Sequence, residues 1–152
     1  MNTKKEVKRE FYDSGKLKSE THYKNDKAEG VKTTWYANGQ KMSEAYYENG
    51  KEEGLETKWY ETGERGSEIH YKNGKREGLE TYWYKAGEKW LEITSKNGKK
   101  EGLETSWYIN GQRKEEVPFK EGKIDGVLTG WYENGKRKCA KHFKSGIEHG
   151  IR

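Results

Sequence analysis

Glutamates recur at a fixed interval along this chain, and carboxylates are residues that could act in acid–base chemistry. The column repeats every 24 residues, and its members are Glu20, Glu44, Glu68, Glu92 and Glu116. Strand spacing in a sheet would place successive members about 10 Å apart, whereas catalysis needs different groups that converge on one point. A paired-carboxylate site stays open as an alternative. Glutamates that are solvated, or paired with threonine across strands, are the favoured interpretation.

The histidines and the single cysteine do not form a metal or nucleophile motif. His22, His70 and His142 share one repeat position, and strand spacing separates them by about 20 Å or more, too far for a common metal. His149 lies near the C-terminus, and Cys139 has no base beside it in the sequence. The sequence therefore predicts a protein that is not an enzyme, with no catalytic residues, no metal and no cofactor.

A basic set of residues follows the second turns of the second to fifth repeats and should project from one long side of the protein. Its members are Lys51, Lys75, Arg76, Lys99, Lys100 and Lys123. Such a row could bind the phosphates of phospholipid or nucleic acid. Lysine also serves simply as a turn and solubility residue at sheet edges, and this is the stronger interpretation. The net charge of +5 arises from 31 basic and 26 acidic residues that are interleaved, which is typical of a solvated surface of mixed sign.

All of these residues are carried by one repeated element. Six units of 24 residues follow one another without insertion, at 7–30, 31–54, 55–78, 79–102, 103–126 and 127–150. Asn-Gly pairs recur twice in the repeat, as at 38–39 and 49–50, and predict type I′ turns between strands of about six to eight residues. We therefore predict an all-β fold, an elongated single-layer antiparallel meander of six 24-residue β-hairpins. The repeats should form a single domain over residues 1–152.

Composition limits the size of the core. Hydrophobic residues make up 29% of the chain and charged residues 38%, values that are typical of disordered chains. However, 13% of the residues are aromatic, and disordered chains contain few aromatic residues. The chain should fold around a thin core. Cys139 allows no intrachain disulfide, and the charged N-terminal residues are not followed by an apolar segment. We therefore expect a cytoplasmic protein without a signal peptide or membrane span.

Two-residue turns would also determine which residues face each other. The predicted register places Trp59 opposite Gly66 on one face and Tyr60 opposite Arg65 on the other. A β-bulge would exchange these faces, so the face assignment stays open.

The repeat resembles a known family. A hairpin that ends in Trp-Tyr-x-x-Gly and is followed by Asn-Gly-Lys-x-x-Gly is similar to the MORN repeat, and closer to the bacterial MORN-repeat-variant families, including the YwqK-type antitoxins. The likeness is carried by GLETKWYETG (54–63), GLETYWYKAG (78–87), GLETSWYING (102–111) and GVLTGWYENG (126–135) and extends over 7–150. It implies a single-layer sheet that acts as a binding platform. Some members are described as antitoxin or immunity proteins, and eukaryotic MORN arrays as scaffolds or phospholipid-associated modules, with no shared set of functional residues.

Departures from the repeat are concentrated in the fourth and fifth units, where Tyr82, Trp90 and Leu91 replace smaller or polar residues. The predicted register pairs Tyr82 with Leu91 and Trp83 with Trp90, beside Pro118, which should mark an edge distortion. The candidate partner-binding residues are Tyr82, Tyr84, Trp90, Leu91, Ile93, Tyr108, Val117 and Phe119. An apolar patch on a polar sheet suggests a protein interface. The alternative, that these residues are the best-packed part of the core, stays open.

These observations and the resemblance lead to one hypothesis and one alternative. The hypothesis is a bacterial antitoxin, immunity protein or inhibitor that neutralises a toxin or effector enzyme by direct binding. The alternative is a MORN-type scaffold that binds anionic phospholipid or nucleic acid through the lysine-lined edge. The sequence leaves the identity of the partner and the oligomeric state open.

Overall fold

The computed structural model describes residues 4–150, which form β-strands and no helix. The strands are β1 (Lys5–Phe11), β2 (Leu17–Lys24), β3 (Lys27–Trp35), β4 (Lys41–Glu48), β5 (Lys51–Trp59), β6 (Arg65–Lys72), β7 (Lys75–Trp83), β8 (Lys89–Lys96), β9 (Lys99–Trp107), β10 (Arg113–Lys120), β11 (Lys123–Ile124), β12 (Gly126–Trp131), β13 (Arg137–Lys144) and β14 (Ile147–His149). They form one open antiparallel sheet of 14 strands in chain order, with the short β11 paired to β10. The predicted all-β meander is confirmed. No helix among the described residues is long and apolar enough to span a membrane.

Contacts divide the chain into two compact units, Met1–Lys75 and Arg76–Arg152. The first unit holds β1 to β6, and the second holds β8 to β14 with all of β7 except Lys75. The strand and turn pattern of the repeat recurs in both units, except that one strand of the second unit is divided into β11 and β12.

The second turn of each repeat has the predicted geometry. Asn49 and Gly50 both have positive φ, at 51° and 83°, and Asn97 and Gly98 repeat this at 51° and 79°. Two successive positive φ angles define the type I′ turn, whose twist suits a two-residue hairpin. Asn and Gly tolerate this region better than other residues, so the Asn-Gly prediction is confirmed here.

The first turn differs from the prediction. In the turn at Asn38 and Gly39 only the glycine has positive φ, at 92°. The Gly39 N–H donates to the Tyr36 carbonyl at 2.9 Å, and the Tyr36 N–H donates to the Gln40 carbonyl at 2.8 Å. The Asn38 carboxamide oxygen accepts the N–H of Gln40 at 2.8 Å. The loop therefore contains three residues, a turn closed by a left-handed glycine and a bulge.

Because of that bulge, the register at the end of the hairpin differs from the predicted register. Trp59 pairs with Arg65, and the register shifts between Lys58 and Trp59, so the predicted pairs Trp59–Gly66 and Tyr60–Arg65 are wrong. The pair Trp83–Trp90 is wrong for the same reason. Because the extra loop residue displaces the strand by one position, Trp83 pairs with Lys89, while Tyr82 still pairs with Leu91 as predicted.

Pro118 distorts an interior strand rather than an edge. It lies in β10, paired with Leu103 of β9, and the strand on its other side is interrupted at Asp125 between β11 and β12. The Asp125 N–H donates to the Pro118 carbonyl at 2.9 Å. Gly126 has a φ of 127°, and a Cβ there would lie 2.9 Å from Pro118 Cγ. Proline has no N–H for the ladder, and a glycine opposite makes room for its ring.

The core is a row of apolar side chains on one face of each unit. We call this the core face and the opposite one, which carries Thr57 and Thr105, the threonine face, since alternate residues of a strand point to opposite sides. The buried row consists of Ala45 and Ile69 in the first unit and Ile93 and Val117 in the second, with Ile93 only 2% exposed. Glutamates stand opposite these residues on the adjacent strands, in the pairs Glu56–Ile69, Glu80–Ile93 and Glu104–Val117. The core is therefore thin, as the composition predicts.

Each type I′ turn is also fastened to the repeat before it. The Asn49 N–H donates to the Glu29 carboxylate at 2.8 Å, and the Gly50 N–H donates to the Ala28 carbonyl at 2.8 Å. In the second unit Asn97 donates in the same way to Glu77 at 2.7 Å. These contacts explain why an acidic residue precedes the closing glycine in the first five repeats, and they hold neighbouring hairpins in register.

Candidate functional site

The eight candidate partner-binding residues divide between the core and the surface. Ile93 and Val117 are buried in the core row, and Phe119 is half-buried beneath the Lys100 ammonium, which lies 4.7 Å from the ring centroid. Trp90 is 36% exposed, and the remaining four candidates are half-buried: Tyr82, Tyr84, Leu91 and Tyr108. The surface that reaches solvent is thus centred on Trp90.

Trp90 lies against two tyrosines. Its ring centroid is 5.5 Å from that of Tyr82 and 6.4 Å from that of Tyr84, with the planes tilted by 50° and 46°. Such tilted aromatic pairs are favourable beyond the area they bury. Together with Leu91, which pairs with Tyr82 across the strands, these residues form what we call the Trp90 cluster: Tyr82, Tyr84, Trp90 and Leu91.

Lysine occupies the Trp90 position in three of the other five repeats, and Met42 and Gly66 occupy it in the remaining two. Lys114 places its ammonium 5.8 Å from the ring centroid of Tyr108, and Lys138 places its ammonium 5.7 Å from that of Tyr132. Trp90 makes the equivalent contact with Tyr84, and an indole replaces the cation there. The hairpin therefore does not need a tryptophan at this position.

Tyr82 compensates for a gap in the core face. Ser95 stands at the position that is aromatic in the other five repeats, as Tyr23, Tyr47, Tyr71, Phe119 and Phe143. The Tyr82 hydroxyl and the Ser95 hydroxyl both donate to the Glu80 carboxylate, Tyr82 at 2.9 Å. Arg76 also donates to it, at 3.0 Å, although the Glu80 side chain is only 2% exposed. A buried carboxylate is tolerated when its oxygens are satisfied in this way.

One tyrosine of that aromatic position has a perturbed ionisation. Burial raises the pKa of Tyr47 to about 12. The neighbouring Glu52 carboxylate, which accepts a hydrogen bond from the Tyr47 hydroxyl at 3.3 Å, also raises this pKa. A tyrosine in the unfolded chain ionises with a pKa of about 10. The contribution of Tyr47 to stability is therefore complete below pH about 10 and is lost as the pH rises through about 12.

Tyr84 and Tyr108 have a structural role that sequence reasoning missed. The hydroxyl of Tyr84 donates to the carbonyl of Trp107 at 2.9 Å, and that of Tyr108 donates to the carbonyl of Trp131 at 2.9 Å. Each bond joins one repeat to the next, which explains why the Trp-Tyr pair recurs. The signal was present in the sequence, because a tyrosine follows the aromatic position in every repeat.

This tyrosine ladder predicts a difference between two otherwise similar residues. Tyr108→Phe should lower the free energy of unfolding by about 1 kcal/mol, because it leaves the Trp131 carbonyl without its donor. Tyr132→Phe is the control: Tyr132 also lies beneath a lysine and is 50% exposed, but it donates no such bond among residues 4–150. Urea denaturation of both variants checks this, and equal losses would contradict the ladder.

The basic residues that were predicted to follow the second turns separate into two groups. Arg76 and Lys100 pair with the carboxylates of Glu80 and Glu104 on the core face. Lys51, Lys75, Lys99 and Lys123 are exposed beside the type I′ turns. In the second unit, an open depression of about 430 Å³ is lined by Lys99, Lys120, Lys123, Lys144, Glu121, Asp125 and Ser145. The pKa of Asp125 is lowered chiefly by the hydrogen bond from the Ser145 N–H and secondly by the Lys144 ammonium. This carboxylate is therefore already engaged within the chain.

The carboxylate and histidine columns are engaged in local contacts. Glu44, Glu92 and Glu116 each pair with a basic residue three positions earlier, at 2.7, 2.6 and 3.0 Å. His22 Nδ1 lies 2.7 Å from the Val31 carbonyl oxygen. Residues 4–150 contain no group of three or more His, Cys, Asp or Glu residues that could hold a metal ion.

Sequence reasoning also missed a row of exposed aliphatic residues on the threonine face. Every repeat begins with Val or Leu, and each of these residues is exposed: Val7, Val31, Leu55, Leu79, Leu103 and Val127. The invariant apolar type would have suggested core packing. The repetition of Gly-Leu and Gly-Val was the available signal, but only the structure shows that these side chains remain at the surface.

Comparison with known proteins identifies the repeat. A family model described as MORN repeat variant matches residues 7–25, 28–49, 52–73, 100–121 and 124–145. The stretch from 74 to 99, which contains the Trp90 cluster, lies outside the matched segments. No curated protein matches the chain.

Proposed function

Because the chain belongs to the MORN repeat variant family, whose members are generally non-catalytic scaffolds that bind proteins, we propose that it neutralises another protein by direct binding. The partner would be a toxin or effector enzyme, and the chain an antitoxin, immunity protein or inhibitor. Binding would inhibit the partner by covering its active surface.

The Trp90 cluster supports this proposal. Trp90 is an exposed aromatic residue where three of the other five repeats place lysine, and the tyrosines beneath it hold its ring. Large aromatic residues on a firm support are the side chains that most often dominate binding energy at interfaces. The lost aromatic at Ser95 is already replaced by Tyr82, so Trp90 is not required to fill that gap.

Restoring the residues of other repeats tests this role. The double variant Trp90→Lys/Leu91→Ser introduces the residues found at equivalent positions, such as Lys114 and Ser67. We expect its free energy of unfolding to change by no more than about 1 kcal/mol, as for most surface substitutions. Its affinity for the partner should fall at least tenfold, because a hot-spot residue typically contributes more than about 1.4 kcal/mol.

The partner is sought by co-expression with the product of the neighbouring gene. Formation of a stable complex and relief of toxicity support the proposed function. Their loss in the double variant supports the role of the Trp90 cluster in binding. Absence of both a complex and relief contradicts the function. A double variant that melts far below the wild type would show that the cluster is core.

A second function is favoured by the lysines around the depression in the second unit. The chain would then be a scaffold for anionic phospholipid or nucleic acid, as four lysines line this depression. Such binding should weaken steeply between low and physiological salt, whereas binding through the Trp90 cluster should respond little. Weak, salt-independent binding to liposomes and oligonucleotides would contradict this alternative.

A further inference from the structure

The threonine face of the second unit carries two parallel strips of different chemistry. The apolar strip consists of Leu79, Leu103, Pro118 and Val127, in which Leu103 pairs with Pro118. Leu79, Leu103 and Val127 are 49%, 52% and 39% exposed. Threonine would suit an exposed strand position equally well, so folding by itself gives no reason for a repeated aliphatic residue here.

The lysine strip lies directly beside the apolar strip. Lys120 is two residues beyond Pro118 on β10, about 6.6 Å along the strand, and Lys96 and Lys144 take the same position on β8 and β13. Two of these lysines face further lysines across their turns, in the pairs Lys96–Lys99 and Lys120–Lys123. Like charges directly opposite each other are destabilising, so this strip would be stabilised by an anionic partner.

Carboxylates near the lysine strip are already used by the turns. Glu101 accepts the N–H of Glu121 at 2.8 Å. Asp125 accepts the N–H of Ser145 at 3.0 Å and pairs with Lys144 at 3.2 Å. The carboxylates of Glu101, Glu121 and Asp125 keep their negative charge, and Asp125 pairs with Lys144. The five lysines outnumber these three carboxylates, so the strip is net basic: Lys96, Lys99, Lys120, Lys123 and Lys144.

The spacing of the strips indicates the form of the occupant. Leu79, Leu103 and Val127 lie on every second strand, so their spacing is about 9.6 Å. A polyproline II helix has three residues per turn and a rise of about 3.1 Å per residue, so that equivalent side chains recur every 9.3 Å or so. One side of such a helix can follow the apolar strip while a second side faces the lysine strip and the third faces water.

We propose that the apolar and lysine strips of the second unit bind an extended, polyproline II-like segment of a partner protein. The segment carries an apolar residue at every third position and an acidic residue in each triplet. This inference rests on the proposed protein-binding function and names a partner chemistry and a surface distinct from the Trp90 cluster. The apolar residues bury the exposed aliphatic side chains, and the acidic residues neutralise the opposed lysines.

A synthetic peptide tests the surface without knowledge of the partner. The probe is a labelled peptide of four Pro-Leu-Glu triplets, titrated with the full chain at low salt by fluorescence anisotropy. The first control peptide has the same composition with irregular leucine spacing, and the second carries lysine in place of glutamate. We expect the regular acidic peptide to bind at least tenfold more tightly than either control.

Variants of the chain locate the binding. Leu103→Thr/Val127→Thr and, separately, Lys120→Glu/Lys123→Glu should each weaken binding of the regular peptide at least tenfold. These side chains are exposed or at the edge, and urea denaturation confirms that the variants fold. Trp90→Lys/Leu91→Ser is the matched control on the other face and should leave peptide affinity unchanged.

Several outcomes would overturn the inference. Equal binding of regular and irregular peptides would show that the three-residue periodicity is not recognised. Unchanged affinity in the Leu103→Thr/Val127→Thr variant would show that the apolar strip does not contribute to binding. Binding of anionic vesicles but of no peptide would assign the surface to membranes. A complex with a natural partner that survives the strip variants, together with no peptide binding, would defeat this inference and leave the proposed function intact.

Discussion

Glu80→Ala should lower the free energy of unfolding by about 3 kcal/mol, one of the two largest effects we expect in this protein. The carboxylate is nearly inaccessible and accepts hydrogen bonds from Ser95, Tyr82 and Arg76. Its removal leaves the buried Ser95 hydroxyl and the half-buried Tyr82 hydroxyl without this acceptor, whereas the Arg76 guanidinium is 46% exposed and can turn to water. For a chain of this size the melting temperature should fall by about 6–12 °C.

The matched control for this substitution is Glu56→Ala. Glu56 occupies the same repeat position in the first unit, but its contacts are longer: Tyr71 donates to it at 3.4 Å and Lys58 lies at 3.3 Å. We expect a loss of about 1 kcal/mol, since the partners of Glu56 are more accessible to water. Calorimetry of both variants checks the difference. If Glu80→Ala melted at the same temperature as Glu56→Ala, the buried Glu80 carboxylate would contribute no more to stability than the more accessible Glu56 carboxylate.

Ile93→Ala should have an effect of similar size, a loss of about 3 kcal/mol. Ile93 is fully buried in the core row, and truncation of a buried isoleucine combines lost burial with a residual cavity. The loss should be large relative to the total, because a domain has only about 5–15 kcal/mol of stability. Urea denaturation followed by tryptophan fluorescence gives the value.

Leu103→Ala provides the control for Ile93→Ala, because both are aliphatic residues on adjacent strands of the second unit. Leu103 is exposed on the threonine face, so its truncation should change the free energy of unfolding by less than about 0.5 kcal/mol. If the two variants lost equal stability, the threonine face would be packed in solution, and the apolar strip would not be available to a partner.

The arrangement of the candidate site was only partly predictable. The departures of Tyr82, Trp90 and Leu91 from the repeat were visible in the sequence, and the structure brings them together around Trp90. The sequence could not separate them from Ile93 and Val117, because apolar character does not reveal which side chains neighbouring strands cover. Nor could it distinguish Lys99 at the edge from Lys100 on the core face, although the two are adjacent in the chain.

The sequence by itself determined the repeat, the hairpins and the order of the strands. Asn-Gly pairs such as Asn97 and Gly98 favour a type I′ turn through local sterics, and regular spacing of such turns leaves a meander as the simplest topology. Tertiary structure decided the rest. The bulge before Trp59 depends on how three loop residues fit between paired strands, and a shift of one residue changes which side chains face each other. Burial of Ile93 and exposure of Leu103 likewise depend on the side chains of adjacent strands, which come from other parts of the chain.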